Sequence, residues 1–190
     1  SPQFLGAEGL DPKEFSLKLA EELMNKGQSL FSSEELVNRW TGKPDSGEAT
    51  GIVKELIEVY KNIWENSELR ILTQTHDRAC QVFAPEGKSL NGRSQLIDFL
   101  ASYLASFPKG NFKVHHWILN QEEGKNTRIA LRWSYSAIQQ GEGFFGKPKG
   151  APVVIMAITH AELQEGKVIR EFHAIDEISI WMQIHQNALH

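Results

Sequence analysis

The sequence predicts an α+β fold with an antiparallel sheet, and three observations predict it. Apolar residues recur at about 3.6-residue spacing in three segments before residue 108. From Asn111 onward the apolar pattern switches to strict alternation. The elements then follow as helices, a strand, a helix and a four-strand meander, with no helix between the later strands.

The elements are justified in chain order. Asp11-Pro12 is a helix start, with the acid at the cap and proline in the first turn. Phe15, Leu19, Leu23 and Met24 keep helical spacing up to Gly27, and Ser32 with Glu35 forms a capping box for a short helix with Leu36, Val37 and Trp40 inward. Gly42–Glu48 is a turn-rich linker, so residues 1–48 are expected as a helical extension or inter-domain segment and 49–190 as the main domain. Thr50 is the expected cap of a helix whose stripe is Ile52/Val53, Leu56, Val59/Tyr60 and Ile63/Trp64, broken at Asn66-Ser67-Glu68. Arg70–His76 reads as a second short helix, Ala79–Ala84 as a strand, and the segment after Asn91-Gly92-Arg93 as a third helix with Leu96, Leu100, Tyr103/Leu104 and Phe107 on one side. Phe112–Asn120 and Arg128–Ile138 are strands. Gln139–Gly150 is a glycine-rich loop whose Phe144-Phe145 must cover something. Two β-branched runs, Val153–Leu163 and Val168–Ile180, flank Gln164-Glu165-Gly166-Lys167 and read as a hairpin.

Composition excludes several classes. A net charge of −4 with no Lys/Arg run argues against a nucleic-acid partner. Cys80 is the sole cysteine, so an intrachain disulfide or thiolate metal cluster is impossible. No apolar run approaches a membrane span, and Ser1–Leu10 lacks the basic start and apolar core of a signal peptide. A cytoplasmic location is expected, with no membrane partner. The chain opens without Met and is read as processed, tagged or a fragment.

Several short motifs appear in a telling order. They are Ile63-Trp64-Glu65-Asn66, Asn91-Gly92-Arg93, Ser106-Phe107-Pro108, Arg128-Ile129-Ala130-Leu131-Arg132-Trp133 and Phe145-Gly146-Lys147-Pro148-Lys149-Gly150, followed by the terminal hairpin. Each is weak alone; together, over residues 50–184, they resemble the SnoaL-like family of the nuclear-transport-factor-2-like superfamily. The resemblance implies a cone-shaped, curved antiparallel sheet packed on three helices. Some relatives carry two such domains in tandem, and Leu10–Phe15 looks like their inter-domain segment, so this chain is read as the second half of such a protein.

The candidate chemistry sits mostly on the predicted sheet. Histidine titrates near neutral pH and can move a proton. Neighbours on a strand point to opposite faces, so only one of His115 and His116 can face a pocket; the family pattern favours His116. In the family's polyketide cyclases an Asp follows the aromatic of the last strand and serves as acid/base in an intramolecular aldol closure. Here Phe172 is followed by His173, which still suits acid/base work. Asp176 matches the family's later Asp, but strict alternation puts it on the face opposite His173 unless a bulge intervenes. Glu171 shares the parity of His173 and is expected to orient it only indirectly.

His173, Asp176 and His160 are therefore the catalytic candidates, and His116, Arg132, Trp133, Tyr135, Phe144 and Phe172 the ligand-binding ones. Hydrogen-bonded sheet histidines, a strand-end carboxylate, an internal Arg132 ion pair and aromatic core packing are the competing structural explanations. No local His spacing suits a metal, and no cofactor is expected. Polar positions interrupting apolar strands predict a cavity between the sheet and the helices at 49–65 and 92–107. It would take a hydrophobic, carbonyl-bearing small molecule. A non-catalytic binding or assembly domain is the alternative. Large apolar residues on both faces of the last strands predict a homodimer or a contact with a sister domain.

Overall fold

The computed structural model describes residues 47–188. The extension expected over residues 1–48 thus lies, up to residue 46, outside the described residues. Helix α1 (Gly51–Asn66) turns Val53, Leu56, Val59, Tyr60, Ile63 and Trp64 inward, as its stripe predicts. Thr50 is its N-cap residue, but its hydroxyl makes no cap hydrogen bond. Ser67 ends it in the left-handed region, at φ 57°, with its N–H on the helix's last carbonyls. A 3₁₀ turn (Leu69–Ile71) and the one-turn helix α2 (Leu72–Thr75) replace the expected second helix. His76, expected at that helix's end, instead begins strand β1 (His76–Phe83).

Strand β2 (Ser89–Asn91) precedes helix α3 (Arg93–Ser106), which buries Leu96, Leu100, Tyr103 and Leu104. The meander is β3 (Asn111–Asn120), β4 (Thr127–Ile138), β5 (Pro152–Gln164) and β6 (Lys167–Ile175). β5 and β6 meet through Glu165-Gly166, with φ of 48° and 75°. Positive φ at both central residues is the turn whose twist matches paired strands.

Helix α4 (Glu177–Gln186) follows β6 directly. The expected strand Val168–Ile180 is therefore too long. The strand stops at Ile175, and the Asp176 carboxylate accepts the Ser179 N–H at 3.0 Å as a helix cap. β-branched composition alone does not reveal this stop; the cap does. Helix α4 then takes over the vacated sheet edge: Gln183 accepts from Val154 N at 2.8 Å and donates to Val154 O at 2.9 Å, as a paired strand would.

The six strands run in the order β2-β1-β6-β5-β4-β3 in one open sheet. It is mixed rather than wholly antiparallel, because β1 lies parallel to β6. These two strands are distant in sequence, so no hairpin forces them antiparallel. The core lies between the sheet and α1 and α3, where Trp64 rests on Trp133 and Tyr135 with ring centroids 4.9 and 5.1 Å apart. The loop 139–150 closes one end: Phe145 is buried against Phe107 and Trp181. Gly141 permits this close approach, since a Cβ there would stand 1.8 Å from the Ala105 carbonyl oxygen. No described helix is long and apolar enough to cross a membrane.

Candidate active site

Strand alternation puts Glu171 and His173 on the same, helix-facing side of β6. Their side chains meet: His173 Nε2 lies 2.7 Å from Glu171 Oε2. The indirect orientation expected from the sequence is thus a direct bond. Glu171 Oε1 takes two further partners, the Tyr60 hydroxyl from α1 and His76 Nε2 at 2.6 Å from the start of β1. His76 arrives there because the β1–β6 register slips between His76 and Gln81, letting the chain bulge around the carboxylate. Arg93 fixes that entry by donating to the carbonyls of Thr73 and His76 at 3.0 and 3.1 Å.

Two threonines hold the far nitrogens of the imidazoles. His76 Nδ1 is 2.9 Å from Thr75 Oγ1. His173 Nδ1 is 3.0 Å from Thr159 Oγ1, which also accepts Trp133 Nε1–H at 2.9 Å. Burial is graded across the cluster. Glu171 and His76 are 0% exposed, and His173 is 7% exposed.

An ionised carboxylate buried this deeply requires compensation. Burial by itself pushes the Glu171 carboxyl upward, but the imidazoles of His76 and then His173 outweigh it, with their hydrogen bonds. The carboxyl is held well below its ordinary range. The same burial, reinforced by the Glu171 charge, drives the Tyr60 hydroxyl well above its ordinary value, so it acts as a donor. Chemically, the cluster can hold, orient and redistribute a proton over two imidazoles and one carboxylate.

The other expected site residues go elsewhere. Asp176 is exposed and caps α4. His160 pairs with Phe172 across the β5–β6 ladder and stacks on its ring, on the face away from the helices. His116 pairs with Arg132, so both lie on that outer face by alternation. His115 is the bulged residue of β3, so the expectation that neighbours diverge fails there. It is buried, 2.7 Å from Ser134 Oγ, and burial, with Lys113 and Arg132 adding, lowers its pKa to about 4. The Tyr135 hydroxyl bonds within the 107–110 turn, donating to Phe107 O and accepting from Gly110 N, each at 2.7 Å. Trp133 faces the cluster through Thr159. The space expected as a cavity beside Trp133 and Tyr135 is occupied by Trp64. Clefts of about 680, 420 and 340 Å³ lie along the 67–74 turn, beside α1, and between α1 and β3, away from His173.

Phe144 is 42% exposed, stacked over Tyr103 and under the Lys88 ammonium. Beside it lies a second buried carboxyl. Glu177 accepts the Tyr103 hydroxyl, and burial raises its pKa.

Sequence reasoning missed His76 and Tyr60. Tyr60 sits in an apolar helix stripe, where only the need of a buried hydroxyl for a partner marks it. His76 carries no local signal, because a long-range parallel pairing places it.

The comparisons agree with this fold. Among curated proteins none matches the chain by sequence. Solved structures do match. A protein of Jannaschia sp. CCS1 named as a SnoaL-like polyketide cyclase is 19% identical, with TM-score 0.55 over 73% of this chain and 97% of that one. IdmH of Streptomyces antibioticus, named as a polyketide cyclase, is 14% identical, with TM-score 0.57 over 70% and 97%. AclR of Streptomyces galilaeus, named as a hydroxylase, is 20% identical, with TM-score 0.58 over 70% and 80%. At such identities these likenesses speak for the fold. The sequence pattern of the SnoaL-like polyketide cyclases itself matches residues 54–184, the same span that holds the sheet, its covering helices and the Glu171 cluster, and the chain belongs to that family.

Proposed function

We propose that this domain is an acid/base catalyst of the SnoaL type, acting on a small hydrophobic carbonyl compound with His173 as the proton-transferring group. The observation that carries this reading is the graded cluster: a fully buried carboxylate stands behind an imidazole that is also buried but keeps 7% exposure, more than Glu171 or His76. That is the layout by which a carboxylate orients a histidine and stabilises its charged form. A strongly perturbed acid among histidines is also a recurrent mark of functional sites. Nε2 stays on Glu171. The substrate proton exchanges at Nδ1, where the partner is a neutral hydroxyl. Phe99, 6.4 Å from the His173 ring, and the exposed side of Phe144 supply apolar surface for the ligand.

A thermal-shift screen of polyketide-like and other carbonyl compounds would supply a ligand. His173→Asn should then lower turnover about 10²–10⁴-fold while leaving affinity nearly unchanged. A compound that binds and is never turned over by the unmodified protein removes the catalytic reading.

A second reading, a binding or assembly domain, is favoured by the outer face of the sheet. Ile118, Ala130, His160, Phe172 and Phe83 form one row across five strands, with Ile158 beside it. Phe83 stacks on Phe172 at 4.6 Å, yet both remain exposed, as do Ile118 and Ile158. An apolar row of this extent suits a homodimer or a sister domain.

A further inference from the structure

Two histidines share one carboxylate in the core, and their far nitrogens make them unequal. Thr75 Oγ1 donates to the Ile71 carbonyl at 3.0 Å. A hydroxyl has one hydrogen, so toward His76 the same oxygen is an acceptor and Nδ1 must donate. On the other side Thr159 Oγ1 receives Trp133 Nε1–H, and an indole can only donate. The Thr159 hydrogen is not used in that bond, so the hydroxyl can donate it to His173 Nδ1. His173 keeps its own proton on Nε2, facing Glu171.

We infer that the cluster is set in one charge state at neutral pH: His76 is the imidazolium, Glu171 is ionised, and His173 is the neutral tautomer protonated on Nε2. His76 is thereby a positioning residue that holds His173 in the form of a base. The surroundings agree. Tyr60 from α1 is a neutral donor to the carboxylate. The Cys80 thiol of β1 is pushed up to about 11, by burial and then by Glu171, and stays neutral. Arg93 spends its NH1 on backbone carbonyls. Without a charge on His76, a fully buried carboxylate would have only neutral donors.

The functional consequence rests on the catalytic reading of His173. A neutral imidazole takes a proton and does not give one. A C–H proton next to a carbonyl passes to the Thr159 oxygen as that hydroxyl hands its own hydrogen to Nδ1, and the electron pair stays on the substrate as an enolate. The substrate class narrows to enolisable carbonyl compounds.

The test needs no substrate. Protein labelled with ¹⁵N-histidine is examined by NMR at pH 7, the rings being assigned from His76→Gln and His173→Asn spectra. His76 should show both nitrogens protonated, and His173 only Nε2. In His76→Gln the amide still donates to Glu171 but carries no charge, so His173 should become doubly protonated. Should that variant not fold, Thr75→Val removes the acceptor of His76 Nδ1–H and should shift the second proton toward His173. A doubly protonated His173 in the unmodified protein, or a His173 indifferent to both substitutions, overturns the inference. If the charge pattern holds and no carbonyl compound is turned over, the catalytic reading fails and the charge assignment stands.

Discussion

The two faces of the β5–β6 hairpin treat the same residue types in opposite ways. On the helix-facing side, Thr159, Glu171 and His173 are buried and every polar atom of the cluster has a partner. On the outer side, one residue away in each strand, His160 and Phe172 stack in partial exposure, with none of the described helices over them. Strand alternation alone separates these fates. The comparison teaches that a histidine's role here depends less on its strand than on what the opposite layer brings. The helix layer brings Tyr60 and the β1 bulge brings His76. The outer face brings His160 only the ring of Phe172 among the contacts described above.

The largest expected effect breaks the inner face. Glu171→Gln keeps the shape but strands the buried histidines and should destabilise the domain by about 3–5 kcal/mol, read from urea unfolding. An effect comparable to a surface substitution would mean the cluster is not ionised.

The second prediction uses acid. The folded carboxyl of Glu171 is held well below its ordinary 4.5, so its stabilisation is complete above that value and is lost as pH falls through the depressed folded value. Melting temperature should therefore drop below about pH 4.5, and the gap between unmodified protein and Glu171→Gln should shrink over the same range. Glu177 has the opposite sign, since its carboxyl is raised by burial and favours the protonated form when folded. Outer-face His160→Ala should leave the acid limb unchanged.

The smallest change in protomer stability is expected on the outer face. Replacing both Phe172 and Ile158 by Ser should alter unfolding free energy by about 1 kcal/mol or less, since both side chains are partly exposed. The same pair should convert a dimer to a monomer in light scattering at micromolar concentration. A monomeric mass for the unmodified chain would count against the homodimer and leave the sister domain.

Much of the fold was legible because its signals are local. The α1 stripe, the α3 face, the hairpin turn and the strand alternation each rest on a short stretch of chain, and each is found where expected except for the alternation at His115. The burial of His173 on the helix-facing side of the last strand was legible as well, through its alternation with Phe172. Asp176 was legible as a carboxylate at a strand's end but not as a helix cap, because the β-branched run continues past it into α4. The β3 bulge at His115 was invisible for a similar reason: one inserted residue changes the face without changing the composition.

The sequence by itself determined the α+β class, the order of the long elements from α1 to β6 and the alternation that puts Glu171 beside His173, since these follow from side-chain periodicity along a single segment. Only the tertiary structure decided which groups complete the cluster. Tyr60 is 111 residues from Glu171 and His76 is 95. Their meeting depends on helix packing and on a parallel strand pair, which no local pattern encodes. The physical reason is that a buried carboxylate selects its partners by distance and hydrogen-bond geometry in three dimensions, while the sequence orders them along one.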